Sequence, residues 1–162
     1  MEQHTISVLV ENKFGALARI AGLFSGRGYN IESLSVNVTE DPAISRMTIV
    51  TAGDDTIIEQ IDKQLSKLIE VIQVADLTGH AFIERELLLV KVKTTSKTRG
   101  EVIQITEVFN GHIVGVHRNE LSIELSGRAG KIEDFINLMR EFGIIEVART
   151  GRVAVSRKPG PT

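Results

Sequence analysis

Ile6, Val8 and Val10 alternate with Ser7, Leu9 and Glu11. A period of two predicts a strand with one buried face. After the loop Glu11-Asn12-Lys13-Phe14-Gly15 the period changes. Leu17, Ile20, Ala21 and Phe24 recur at helical spacing, and Gly26 and Gly28 end that helix. Leu34, Val36 and Val38 alternate with Ser33, Ser35 and Asn37, which predicts a second strand. Asp41-Pro42 marks a turn, and Met47 to Ala52 is a third strand. Ile58, Ile61, Leu65 and Leu68 form a helical stripe entered through Asp54 and Asp55, whose carboxylates suit a helix N-terminus. Val71 to Asp76 supplies a fourth strand, so the order is βαββαβ.

Leu77 to Glu86 is polar, contains Gly79 and reads as a linker. The order then repeats. Leu88, Val90 and Val92 are the inward face of a strand; Val102, Ile105, Thr106 and Phe109 mark a helix that Gly111 ends. Ile113 to Val116 and the alternation of Leu121, Ile123 and Leu125 predict a hairpin turning at Arg118-Asn119. Ile132, Phe135, Ile136 and Met139 form another helical stripe, Ile144 to Ala148 returns as strand, and Val153 and Val155 extend the last sheet. The fold class expected is α+β, with two tandem ferredoxin-like βαββαβ units, residues 1–78 and 79–162. Helices on one face of each antiparallel sheet leave the other face open. Unpaired edges and small cores then favour a homodimer.

Composition narrows the function. The chain has 162 residues, 42% hydrophobic and 25% charged, with a formal net charge of -2. That balance speaks against a non-specific nucleic-acid or anionic-membrane surface. There is no cysteine, which excludes disulfides, thiolate metal sites and cysteine nucleophiles. No apolar run approaches the ~20 residues a membrane span needs. Met1 to Ser7 lacks a secretory pattern, so a cytoplasmic protein is expected.

Candidate chemistry is sparse. His4, His80, His112 and His117 do not cluster, and no G-x-S-x-G or H-E-x-x-H motif is present. Gly127-Arg128-Ala129-Gly130-Lys131 resembles a phosphate loop, but two residues instead of four separate its glycines and Ile132 follows the Lys. It reads as a turn before the final helix. Gly26-Arg27-Gly28 ends a helix where a dinucleotide fingerprint would start one. An RNA-binding sheet would need exposed strand aromatics, and aromatics are only 4% of the chain. The informative segment is Asn12 to Leu17. A helix N-terminus offers unpaired N–H groups to a carboxylate, Gly15 permits close approach, and Asn12 can meet an ammonium or a carboxylate. Those features suit a free amino acid; from spacing alone an Asn-Gly turn capping a helix is the simpler reading.

Longer stretches carry a resemblance. Ser7-Val8-Leu9-Val10-Glu11-Asn12, with Gly15, Leu17 and Arg19, resembles the opening of an ACT domain. Gly22-Leu23-Phe24-Ser25 and Arg27-Gly28-Tyr29-Asn30-Ile31-Glu32-Ser33-Leu34 resemble the small regulatory subunits of acetolactate synthase. Ser45 to Val50, Glu59 to Leu68, Glu84 to Val92 and Glu146 to Gly151 continue the likeness. The resemblance implies an ACT domain in residues 1–78, for effector binding and dimerisation, and an ACT-like regulatory domain in 79–162. It implies a branched-chain effector, valine first, held by Asn12, Gly15, Leu17 and Ala18 of one subunit and Asn30 and Ile31 of the other. The implied partner is a catalytic subunit that alone carries thiamine diphosphate, Mg²⁺ and FAD, so no catalytic residue, metal or cofactor is expected here. Lys13-Phe14, Ala18 and Gly26 depart from the family's usual residues. The alternative reading is a free-standing ACT sensor with a different client.

Overall fold

A computed structural model describes residues 2–160. Its elements, in chain order, begin with β1 (Gln3–Glu11), α1 (Ala16–Gly26), β2 (Ile31–Val38), β3 (Ile44–Ala52), α2 (Asp55–Ser66) and β4 (Val71–Asp76). The repeat follows as β5 (Phe82–Lys93), α3 (Arg99–Val108), β6 (His112–Val116), β7 (Glu120–Gly127), α4 (Ala129–Arg140) and β8 (Ile144–Arg149). A short β9 (Val153–Ser156) comes last. The two α+β ferredoxin-like units expected from the periodicity are present. One antiparallel sheet has the order β2-β3-β1-β4; the other has β6-β7-β5-β8, with β9 also paired to β5.

Local chemistry explains where the helices begin and stop. The Asp54 carboxylate accepts the N–H of Ile57 at 2.9 Å and caps α2. Gly28, at φ 71, turns the chain out of α1, and the N–H of Tyr29 reaches back to Phe24 O at 2.9 Å. At the end of α3 the expected residue is displaced by one. Asn110 takes the left-handed conformation at φ 58, not Gly111, because the Asn side chain tolerates that region. Gly111 is needed for space: a Cβ there would lie 3.1 Å from Glu124 O.

Packing groups the chain by contact instead of by sequence order. One compact unit holds the chain up to Ile83 together with the stretch from Arg152 onward; the other is Glu84–Gly151. In the first, Ile6, Val8 and Val10 of β1 and Met47 and Ile49 of β3 meet Ile20 and Phe24 of α1 and Ile61 and Leu65 of α2. In the second, Leu88, Val90 and Val92 of β5 and Leu121, Ile123 and Leu125 of β7 meet Val102 of α3 and Ile132, Phe135 and Met139 of α4. Each such fully buried side chain is worth about 1.5–3 kcal/mol over its exposed state.

Two expectations are corrected. Phe82 to Glu86 is strand and not linker, and only Leu77 to Ala81 connects β4 to β5. Nor is the far face of the first sheet open: Thr5, Ser7 and Thr48 are each 2% exposed. Arg46 Nη1 donates to Ser7 Oγ at 2.5 Å, and residues from Arg152 onward return to β1. The second sheet follows the expectation, with Leu87 and Leu89 of β5 exposed opposite their buried neighbours.

Candidate functional site

The β1–α1 loop is held from both sides. The backbone N–H of Asn12 donates to Ala43 O at 2.8 Å, and its side-chain Nδ2 donates to Pro42 O at 3.0 Å. Both bonds fasten the loop to the β2–β3 hairpin. Gly15 is the N-cap of α1 at φ 87, where a β-carbon-bearing residue is strained. It has no side chain to cap the helix, and the first turn carries no acidic residue. The Ala16 N–H donates to Lys13 O at 3.2 Å, while those of Leu17 and Ala18 have no carbonyl one turn earlier in the helix to accept them and keep their capacity for an anion. The contrast is α2, whose Asp54 already occupies that role.

Basic and acidic groups ring the loop. Lys13 Nζ lies 2.6 Å from Glu11, whose hydrogen bond and charge raise the ammonium pKa. Arg19, on the first turns of α1, reaches the buried carboxylate of Glu70 at 2.7 Å. Glu70 also accepts the N–H of Glu11 through its own carbonyl at 2.8 Å, so the loop's entry and α1 share an anchor.

Beside this loop opens a cleft of about 410 Å³, within the range of small-molecule sites. Its apolar wall is Val10, Ala16, Leu17, Val36, Val38 and Met47; Glu11, Asn12, Lys13, Asn37 and Ser45 supply polar groups. Asn12 and Leu17, anticipated from the sequence, therefore line one cavity. Gly15 and Ala18 are their chain neighbours but do not line it. Val36 and Val38 alternate with polar neighbours as a buried face would, yet they are 38% and 47% exposed. Apolar residues on an inward face that stay exposed are the signal that the sequence alone could not display.

Asn30 and Ile31 lie elsewhere. Ile31 pairs with Thr51, and Thr51 Oγ1 donates to Asn30 O at 2.5 Å. The cleft end of the same sheet is marked by Val38 opposite Ser45 and Ser45 opposite Val10. From Ser45 to Thr51 along β3 is six residue steps, or roughly 20 Å at the rise of an extended strand. A single chain does not bring the two halves of the predicted site together. β2, which carries both ends, is an outer strand of its sheet.

Nothing else among the described residues converges as a catalytic set would. No group of three or more His, Asp or Glu side chains is placed to hold a metal ion, and no helix is long and apolar enough to cross a membrane. The phosphate-loop look-alike is a turn closed on itself, since Lys131 Nζ donates to Ser126 O at 3.2 Å.

Residues 6–73 match the family model described as the AHAS small subunit-like ACT domain, and residues 85–158 match the model for the small subunit of acetolactate synthase. A probable acetolactate synthase small subunit of Archaeoglobus fulgidus is 53% identical over 155 residues, covering 96% of this chain and 97% of that one. The chain belongs to the acetolactate synthase small-subunit family. The isozyme 3 small subunit of Escherichia coli is 49% identical over 94% of each chain. The crystal structure of the small subunit from Thermotoga maritima superposes with a TM-score of 0.90 at 41% identity, over 99% of this chain and 100% of that one. The loop and cleft just described lie within residues 6–73, the stretch that matches the ACT domain of that family.

Proposed function

We propose that this chain is a non-catalytic regulatory subunit that activates the catalytic large subunit of acetolactate synthase and confers feedback inhibition by a branched-chain amino acid, valine first. The effector binds where two ACT domains pair. Residues 1–78 serve binding and pairing, and 79–162 serve regulation of the large subunit in the cytoplasm. Thiamine diphosphate, Mg²⁺ and FAD belong to the large subunit.

The observation that carries this reading is the placement of Asn12 and Asn30 at opposite ends of a sheet whose edge strand, β2, is unpaired on its outer side. An antiparallel pairing of two β2 edges would lay the Ile31 end of one copy beside the Val38 end of the other. That brings Asn30 and Ile31 to the mouth of the cleft lined by Asn12, Leu17 and Val38. Pairing also removes an edge that would otherwise invite non-specific association. In the paired site the first-turn amides of α1, including those of Leu17 and Ala18, take the carboxylate. Asn side chains take the ammonium, and Val36, Val38 and Met47 take an aliphatic side chain. A charged or large polar side chain would leave polar groups unsatisfied against that wall.

Calorimetric titration with valine, leucine and isoleucine, with lysine as the control, tests the reading. Saturable binding of a branched-chain amino acid with a stoichiometry referable to a dimer is expected, followed by valine-sensitive stimulation when the large subunit is added. A folded dimer that gives no heat with any of the three would overturn the effector assignment.

A further inference from the structure

Arg152, the first residue after the second unit, lands on the first sheet. Its backbone N–H donates to Ser33 Oγ at 3.2 Å, and its guanidinium donates to Gln3 Oε1 at 2.9 Å and to Thr5 Oγ1 at 3.4 Å. Gln3 in turn donates through Nε2 to Glu32 Oε2 at 2.6 Å. One residue thereby ties β1 to the start of β2. The segment behind it is fastened too: Ala154 is buried and the N–H of Arg157 donates to Ala81 O at 3.0 Å.

The place where these bonds meet β2 is informative. The ladder between β2 and β3 shifts register between Ile31 and Ser33, so Glu32 falls where the backbone pairing is interrupted. The Gln3 side chain, on Glu32, and the Arg152 backbone N–H, on Ser33 Oγ, hold the strand at that interruption. Ile31 and Asn30 precede it immediately.

We infer that Arg152 is a positioning residue for the effector: it fixes the end of β2 that presents Asn30 and Ile31, and makes that position depend on the segment leaving the second unit at Gly151. The inference rests on the effector reading above. Coupling of this kind is reciprocal. If a docked Arg152 favours the binding-competent strand, an occupied site must favour a docked Arg152. Because Arg152 follows Gly151 and strand β8 directly in the chain, the effector would then bias the covalent path into the second unit. That gives effector occupancy a route to the half of the chain that carries no part of the cleft.

The test uses the full-length protein. Arg152→Met keeps the aliphatic stem and removes the guanidinium bonds; Arg152→Lys restores one charged donor. Valine affinity is read by calorimetry, and amide hydrogen exchange of peptides covering 30–35 and 150–157 is read with and without valine. With an unchanged melting transition, Arg152→Met is expected to lose roughly five- to tenfold in valine affinity, the lower part of the ordinary allosteric range, and Arg152→Lys to recover part of it. Valine should slow exchange across 150–157 in the unsubstituted protein and not in Arg152→Met. If Arg152→Met does not fold, Gln3→Leu, which cuts the link from Gln3 to Glu32 and the link from Arg152 to Gln3 while leaving the Arg152 bonds to Thr5 and Ser33, is expected to show the same loss in milder form. Valine affinity unchanged in the folded variant, with exchange of 150–157 indifferent to valine, overturns the inference while leaving the effector reading intact. An unsubstituted protein that binds no branched-chain amino acid overturns both.

Discussion

Substitution at Gly15 separates folding from recognition, because the two effects have opposite sign. Gly15 sits at φ 87, and a Cβ there would meet nothing within 4 Å, so any cost to the fold is conformational and not steric. A side-chain-bearing residue in the left-handed region costs about 1–2 kcal/mol, less for Asn and Asp, which bond locally. Gly15→Asn and Gly15→Asp have the same shape and share that cost. They differ by one charge at the positive end of α1, where a carboxylate stabilises a helix by about 0.3–1 kcal/mol. Gly15→Asp should therefore be as stable as Gly15→Asn or slightly more so. For the effector the sign reverses. A ligand carboxylate on the first-turn amides would lie roughly 5 Å from the new charge, a repulsion between about 1 and 3 kcal/mol for effective dielectric constants from ~80 to ~20. That corresponds to a loss of roughly five- to 150-fold in affinity beyond whatever Gly15→Asn loses. Urea unfolding of both variants and calorimetry with valine give the two comparisons, and valine inhibition of the reconstituted holoenzyme should fall in parallel. If Gly15→Asp binds valine as tightly as Gly15→Asn, the carboxylate does not sit at the start of α1 and the site assignment is wrong.

Asn30→Ala is expected to weaken valine binding by about 1–3 kcal/mol, the loss of hydrogen bonds to a charged group, and an unchanged affinity would remove Asn30 from the site. In the second unit Arg149 grips Glu86 with two bonds, at 2.5 and 3.1 Å, and Glu133 with a third at 2.7 Å, while Glu86 is only 3% exposed. Glu86 raises the guanidinium pKa further, so the cation persists at every usable pH. Arg149→Met strands a buried carboxylate and should cost about 2–3 kcal/mol in denaturant unfolding, at or below the low end for buried pairs because Arg149 is partly exposed. Adding Glu86→Leu to it should recover much of that loss, and a double variant no better than the single would show the pair is not the cause. Asp54→Ala removes the bond to Ile57 and should lower stability by about 1 kcal/mol with no change in valine affinity, since α2 does not line the cleft.

The repeated strand-and-helix order was legible because each element has a strong period and its own punctuation. Ile58, Ile61 and Leu65 face the core behind an Asp54 cap, as their spacing requires. The failures were non-local. Glu84-Arg85-Glu86 looked like linker because their charges carry no sign of a partner, and the partner of Glu86 comes from 63 positions further along. Thr5 and Ser7 lie on the face expected to be open; Thr5 takes a bond from Arg152, at the far end of the sequence, and Ser7 one from Arg46 of the neighbouring strand. At the site, Asn12 and Leu17 were readable from the strand-loop-helix pattern. Val36 and Val38 were not, since alternation tells which face a residue takes but not how completely that face is covered. Asn30 and Ile31 join the proposed site only through a second copy, which no pattern within one chain displays.

The return of residues 152–157 to the first sheet has a consequence for how the protein is made. The second unit is continuous in sequence, whereas the first is interrupted by it. A ribosome adding ~5–20 residues per second needs roughly 3–14 s to pass from Glu84 to Gly151. Throughout that interval β1 to β4 exist without the segment that holds Thr5 and Ser33. The unit begun first is thus finished only after the second has been delivered, and the start of β2 is fastened only once Arg152 has emerged.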